Sequence, residues 1–295
     1  MSALPTGQRD RLAIHPATSM GTVRLTVSDV DRSREFYERA IGLRPSELED
    51  GGVHLGAEGG PPLVELHADA SAAPLDRSAP GLFHLAILLP TRVDLALALA
   101  RLANARVALD GASDHLVSEA LYLSDPDGNG IEIYRDRPRE DWRVRDGELQ
   151  MATLPLDLDS LLNELGDRSE LAPRVPADTR IGHVHLQVSD LEQAERFYSG
   201  VLGFDVTVRG YPGALFVSAG GYHHHLGLNT WHSAGSPPAV RGAIGLRSFE
   251  IVLPTREELD RVLGRVRAAG IEVAGGTERS LIRDPFGNGI LLRAA

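Results

Sequence analysis

The sequence predicts an α+β fold in which four βαβββ units form two curled mixed-sheet barrels. Three observations carry this expectation. Residues 23–45, "VRLTVSDVDRSREFYERAIGLRP", lie without a gap over residues 184–206, "VHLQVSDLEQAERFYSGVLGFDV". Residues 82–95, "LFHLAILLPTRVDL", lie over residues 246–259, "LRSFEIVLPTREEL". The stretch "DPDGNGIEIYR" (125–135) is echoed by "DPFGNGILLRA" (284–294). A rhythm that recurs both within and between halves points to one supersecondary unit used four times.

The elements follow in order. In unit one (about 20–70) the alternation Val23, Leu25, Val27 reads as a half-buried strand. Asp29 or Asp31 gives an acidic helix start and Gly42 a stop. "GGVHLGA" and "PLVELHA" are later strands of this unit. In unit two (80–137) a strand meets Pro90, then Thr91 as an N-cap, and "ALYLSD" and "GIEIYR" are later strands. Unit three (181–231) repeats the first pattern and unit four (244–295) the second. Glu258 stands three residues after Thr255, a capping-box spacing, and the helix there ends near Gly270. The chain thus divides into 18–137 (units one and two), a connecting segment 138–180, and 181–295 (units three and four). The connection holds "RPREDW", a short helix in "LDLDSLLNEL" and a Pro-rich exit "LAPRVPAD". Its length would let units two and three meet in space.

Composition removes several kinds of chemistry. The chain has 295 residues and a formal net charge of −11, which argues against a nucleic-acid partner. There is no cysteine, so disulfides, thiolate nucleophiles and Cys-based metal sites are excluded. There is no lysine either: all 30 basic residues are arginine, and Schiff-base chemistry is out. The first twenty residues lack a signal-peptide core, and no apolar run reaches a membrane span. A cytoplasmic protein without a membrane partner is expected. The histidines remain as carriers of chemistry.

A sheet made of such units curls around a cleft lined by alternate residues of its strands. Chemistry should sit on the inward face of the first and last strands of each unit. The first-strand slot holds Thr22, His84, His183 and Ser248 in units one to four. The last-strand slot holds Glu132 in unit two and Leu291 in unit four. The ligand-type residues are therefore His84, Glu132 and His183, and their counterparts are poor ligands. Two histidines and a carboxylate make the facial triad associated with non-heme Fe(II) and open coordination positions. The same donors would also hold catalytic Zn²⁺ or Mn²⁺. Taken singly, either histidine reads equally well as a core residue. All three converge only if units two and three pair, leaving one and four to form an inert cleft, and this pairing is expected.

The repeated units resemble the vicinal oxygen chelate superfamily. The stretches "GASDHLVSEALYLSDPDGNGIEIYRDRPREDW", "RIGHVHLQVSDLEQAERFY" and "SAGGYHHHLGLNTW" resemble the two-domain bacterial extradiol ring-cleaving dioxygenases of the catechol 2,3-dioxygenase type. The resemblance implies that His84, Glu132 and His183 hold Fe(II), with Mn(II) as the alternative. It implies an aromatic diol and O₂ as partners, with both oxygen atoms inserted next to the diol of a catechol to give 2-hydroxymuconic semialdehyde. The usual family layout places the ligands in the last two units, and this chain departs from it. Some hydroquinone-cleaving relatives spread the triad across non-consecutive units, which raises a rival substrate.

By the same resemblance Tyr122, ten residues before Glu132, and His115 would stabilise charge on substrate oxygens. In "GYHHHLGLN" the family register selects His224 as acid–base group. On a regular strand His223 and His225 would face the opposite way, and a slip of one residue would exchange the choice. His185 would share the face of His183 and carries no assigned role. His54, His67 and His232 read as structural or surface residues. Arg135 and "RDRPRE" read as a solvated segment or a subunit contact, and a homo-oligomer is expected. The competing readings are a glyoxalase-type isomerase or lyase, an epoxide-opening resistance enzyme, and a drug-sequestering module that would leave the triad unexplained.

Overall fold

The computed structural model describes residues 13–145, 148–167, 172–276 and 278–295. Unit one supplies β1 (Ser19–Val27), β2 (Arg44–Glu47), β3 (Val53–Gly56) and β4 (Pro62–Ala68). Unit two supplies β5 (Gly81–Leu88), β6 (Gly111–Asp114), β7 (Ser118–Ser124) and β8 (Gly130–Asp136). The connection adds β9 (Val144–Arg145), β10 (Glu148–Leu149) and β11 (Leu154–Pro155). Unit three supplies β12 (Arg180–Gln187), β13 (Asp205–Val208), β14 (Ala214–Ser218) and β15 (Leu226–Asn229). Unit four supplies β16 (Gly245–Leu253), β17 (Ala274–Gly275), β18 (Arg279–Arg283) and β19 (Gly289–Ala294).

Each unit's helix starts where the sequence offers an oxygen to its first orphan amides. Asp29, Thr91, Asp190 and Thr255 accept from the backbone N–H of Arg32, Asp94, Gln193 and Glu258. The reciprocal capping box forms at Thr91 with Asp94, while the Glu258 carboxylate is engaged by Arg261. The helices Val30–Phe36 and Leu191–Glu195 run on as π-helical turns, Tyr37–Ile41 and Arg196–Val201. Gly42 closes the first of these with φ of 89°, a left-handed conformation that glycine adopts at little cost. The helices Arg92–Asn104 and Arg256–Ala268 pack buried leucine and valine faces against the sheets. Among the described residues, no helix is long and apolar enough to cross a membrane.

Apart from a small antiparallel pair of β9 and β10, the strands form two curled mixed sheets. One has the order β17-β18-β19-β16-β1-β4-β3-β2 and joins units one and four. The other has the order β11-β6-β7-β8-β5-β12-β15-β14-β13 and joins units two and three. Each half of the chain therefore gives one unit to each sheet. The shared motifs tie the units of a half together. Tyr37 of unit one donates to Asp125 Oδ2 at 3.3 Å, and Tyr198 of unit three donates to Asp284 Oδ2 at 2.8 Å. Each of these aspartates is also bonded by the asparagine of its own Asp-Pro-x-Gly-Asn-Gly turn. The echo "DP-GNG" is thus a turn motif whose buried Asp and Asn receive a tyrosine from the preceding unit.

Candidate metal centre

The central seam of the nine-stranded sheet is β8-β5-β12. β5 pairs with β8 in parallel, Ala86 opposite Glu132, and with β12 antiparallel, Ala86 opposite His183 and His84 opposite His185. β7 extends the row, with Tyr122 opposite Glu132. Residues directly opposite one another share a face. Tyr122, Glu132, Ala86 and His183 therefore line up across four strands, with His84 one step along. The methyl group of Ala86 leaves room for its two large neighbours to reach each other.

The structure brings His84, Glu132 and His183 together. Their ligand atoms all lie within 4.8 Å of one another, and all three residues are buried. His183 Nε2 is 3.0 Å from Glu132 Oε2, and His84 Nε2 is 2.9 Å from the same oxygen. The His84 contact satisfies distance but not direction: Nε2 is buried and makes no hydrogen bond of acceptable geometry. An orphaned nitrogen beside a carboxylate fits lone pairs aimed at a common point, as a divalent ion requires. Burial disfavours the charged carboxylate, but His183 and then His84 hold Glu132 well below the usual carboxylate range. Burial pushes the His183 imidazole down to about 4, so it is neutral at pH 7, the form that ligates.

Around the triad, Tyr122 and His115 form a bonded pair. His115 Nδ1 lies 2.7 Å from the Ala152 carbonyl, which can only accept, so this nitrogen carries the hydrogen. In this tautomer the ring accepts at Nε2 from the Tyr122 hydroxyl, 2.6 Å away. Burial, and then the Glu132 charge, push the Tyr122 phenol well above its ordinary value. His224 packs against His183 with the rings tilted, centroids 4.1 Å apart, and lines the cavity. Burial, then His183, push its imidazole well below the ordinary value. His185 lies beside His84, 4.9 Å between centroids, with Gly227 beneath its ring.

The segment 222–225 is not the regular strand the sequence suggests. It bends before β15 begins at Leu226, after Gly220 and Gly221 in left-handed conformation. Strict alternation is lost, and His223 and His224 touch through their Nδ1 atoms at 2.8 Å. All three histidines are buried, His223 completely; His225 accepts from Ala219 N–H and faces Ser218. Arg135 is not merely solvated either: it is paired with buried Glu119 at 2.6 Å. The residues missed by sequence reasoning are Ala86, Tyr134, Asp136 and Gly182. Laying the repeats over one another exposes two of them, since Ala86 aligns with Glu250 and Gly182 with Gly21.

In the eight-stranded sheet the equivalent row is Leu281, Leu291 and Glu250. Glu250 is buried and bonded by Arg24 at 2.8 Å and Arg293 at 3.1 Å. Arg24 also pairs with Glu65, which takes His54 and His67 on its two oxygens. An internal ion network fills the place that the metal-type residues hold in the other sheet. One cavity of about 2230 Å³ touches both clefts. That exceeds the roughly 300–1,000 Å³ of a single small-ligand site because it runs from His84 and Glu132 to Arg24 and Ser248. At the metal end its wall includes Phe83, Tyr211, Phe216 and Trp231.

Residues 19–133 and 180–292 each match the family described as the Glyoxalase/Bleomycin resistance protein/Dioxygenase superfamily. Over 277 residues the chain is 48% identical to a protein named catechol-2,3-dioxygenase from Bacillus subtilis (strain 168), covering 92% of this chain and 96% of that one. Among solved structures, a candidate dioxygenase from Bacillus subtilis subsp. subtilis str. 168 superposes with a TM-score of 0.63 at 14% identity, covering 96% of this chain and 85% of that one. Glyoxalase I from Zea mays superposes with a TM-score of 0.55 at 15% identity, covering 94% and 92%. These two likenesses show the shared fold. The chain belongs to the Glyoxalase/Bleomycin resistance protein/Dioxygenase superfamily and is similar, over nearly its whole length, to a catechol-2,3-dioxygenase.

Proposed function

We propose that this protein is an extradiol ring-cleaving dioxygenase that inserts both atoms of O₂ into a catechol next to its diol. With catechol itself the product is 2-hydroxymuconic semialdehyde. The observation that carries the reading is the convergence of His84, Glu132 and His183, supported by 48% identity to the Bacillus subtilis relative. The three residues would hold Fe(II), with Mn(II) as the alternative. When bound, such an ion supplies Lewis acidity toward the diol oxygens and the electron chemistry that O₂ requires.

The chain supplies the rest. His224 lines the cavity beside His183 and, as a neutral imidazole, takes a diol proton and later returns it. The Tyr122–His115 pair lies across from Glu132; when a diol binds, the Tyr122 hydroxyl turns its hydrogen from His115 to a substrate oxygen and stabilises charge there. The aromatic wall of Phe83, Phe216 and Trp231 offers ring faces to an aromatic substrate and sheds water from the cleft. Confinement of both reactants in one cleft contributes through proximity.

The test is anaerobic loading with Fe(II), followed by oxygen uptake with catechol. The reading expects stoichiometric uptake and a yellow product. Metal retention with uptake on a hydroquinone but not on catechol would move the substrate assignment. Absence of uptake with both diols would end the ring-cleavage reading.

A further inference from the structure

The last strand of unit two carries more than Glu132. In "IEIYRD" the residues Glu132, Tyr134 and Asp136 alternate along β8 and share a face. Asp136 Oδ1 lies 2.9 Å from His223 Nε2, and His223 Nδ1 lies 2.8 Å from His224 Nδ1. These contacts form an unbroken line from a carboxylate on one strand to a cavity-lining histidine of another unit.

Hydrogen-bond polarity runs one way along this line. An ionised carboxylate only accepts, so His223 Nε2 carries the hydrogen. With its hydrogen on Nε2, His223 presents a bare Nδ1, which accepts from His224 Nδ1–H. His224 is left with a bare Nε2 on a ring that lines the cavity. We propose that Asp136 and His223 are positioning residues that fix this tautomer of His224. The inference rests on the proposed acid–base role of His224 and says what makes that ring a base rather than a donor.

The relay is held on all sides. His223 is fully buried, with its ring 4.0 Å from that of Tyr222 and 5.4 Å from that of Trp142. The Tyr222 hydroxyl bonds Asp136 Oδ1 at 3.2 Å and the Tyr134 hydroxyl at 2.7 Å. His224 itself is clamped between the rings of His183 and Phe216, at 4.1 and 4.9 Å. With the rings fixed, the remaining freedom is which nitrogen carries the hydrogen. Without the carboxylate, His223 is free to protonate Nδ1, and His224 must then carry its hydrogen on Nε2, facing the cavity.

The test reads the tautomer directly. Two-bond ¹H–¹⁵N correlation spectra are recorded on metal-free protein labelled at histidine, with His224 assigned by His224→Asn. Wild type is expected to show a protonated Nδ1 and a bare Nε2. In Asp136→Ala and in His223→Phe the His224 pattern is expected to reverse or average. In the iron-loaded enzyme both variants should keep their metal and KM, while kcat falls roughly ten- to a hundredfold, at or below the lower end of a general base's contribution. A His224 protonated on Nε2 in wild type, or a tautomer unmoved by Asp136→Ala, overturns the relay. Because this readout needs neither metal nor diol, failure of catechol cleavage with a fixed tautomer would remove the catalytic reading and leave the relay standing.

Discussion

The Tyr134 hydroxyl lies over Gly182 so closely that a β-carbon at residue 182 would sit 1.8 Å from it. Gly182 precedes His183 on β12, and Tyr134 lies two residues after Glu132 on β8. The contact therefore sets how closely two ligand-bearing strands approach. Gly182→Ala should cost about 1–3 kcal/mol through overpacking and also weaken metal binding. Gly21→Ala in the other sheet is the control, since its β-carbon would meet Glu250 Oε2 at 2.6 Å, an atom of the ion network and not of the triad. Urea unfolding should show both variants destabilised, and metal titration should show only Gly182→Ala impaired. Equal metal affinity in the two would contradict this role of the contact.

Ala86 works through its size. It stands between Glu132 and His183, and its counterpart in the other sheet, Glu250, fills the corresponding space. Ala86→Leu should leave the fold intact, at a cost of roughly 1–3 kcal/mol, and abolish stoichiometric metal binding. Retention of metal by a folded Ala86→Leu variant would show that the site tolerates filling.

Tyr122→Phe removes the hydroxyl that donates to His115 while keeping the ring. It should lower kcat about ten- to a thousandfold, the upper end matching loss of an oxyanion donor, with metal content unchanged. His115→Ala should cost a similar factor, and the double variant little more than either single one, since both remove the same bonded pair. Additive losses measured by steady-state kinetics would mean that the two act separately.

Acid should destabilise the metal-free protein before its carboxylates titrate. Burial, then His223 and His183, push the His225 imidazole down to about 3, while burial pushes His183 to about 4. An unfolded histidine titrates near 6.5. Between these values the unfolded chain binds protons that the folded chain refuses, so stability is full above pH 6.5 and falls as pH drops. Each such histidine contributes a slope of about 1.4 kcal/mol per pH unit. Urea titrations from pH 7 to pH 4 should show this slope, and His225→Gln should reduce it by one histidine's share. An unchanged slope in that variant would contradict the assignment.

Much of the fold is legible in the sequence because its signals are local and repeated. Asp29, Thr91, Asp190 and Thr255 precede helices in the sequence and cap them in the structure. Comparing equivalent slots singles out His84, Glu132 and His183 because histidine and glutamate stand where threonine, serine and leucine stand in the twins. What escapes is tertiary. Ala86 and Gly182 matter for space, and small residues carry no chemical signature. Asp136 sits in the charged run "RDRPRE", and what sets it apart is the approach of His223 and Tyr222 from another unit, which no local pattern shows. The glycine pair 220–221 breaks the alternation that would otherwise place His223 and His224 on opposite faces.

The central claim is that one cleft holds a metal and its twin does not. It is tested most directly by anomalous diffraction at the iron edge from crystals loaded anaerobically with Fe(II). The account predicts one strong peak per chain, within bonding distance of His84 Nε2, His183 Nε2 and a Glu132 oxygen, and none beside Arg24 and Glu250. A strongest peak elsewhere, or no peak with iron in excess, would contradict it.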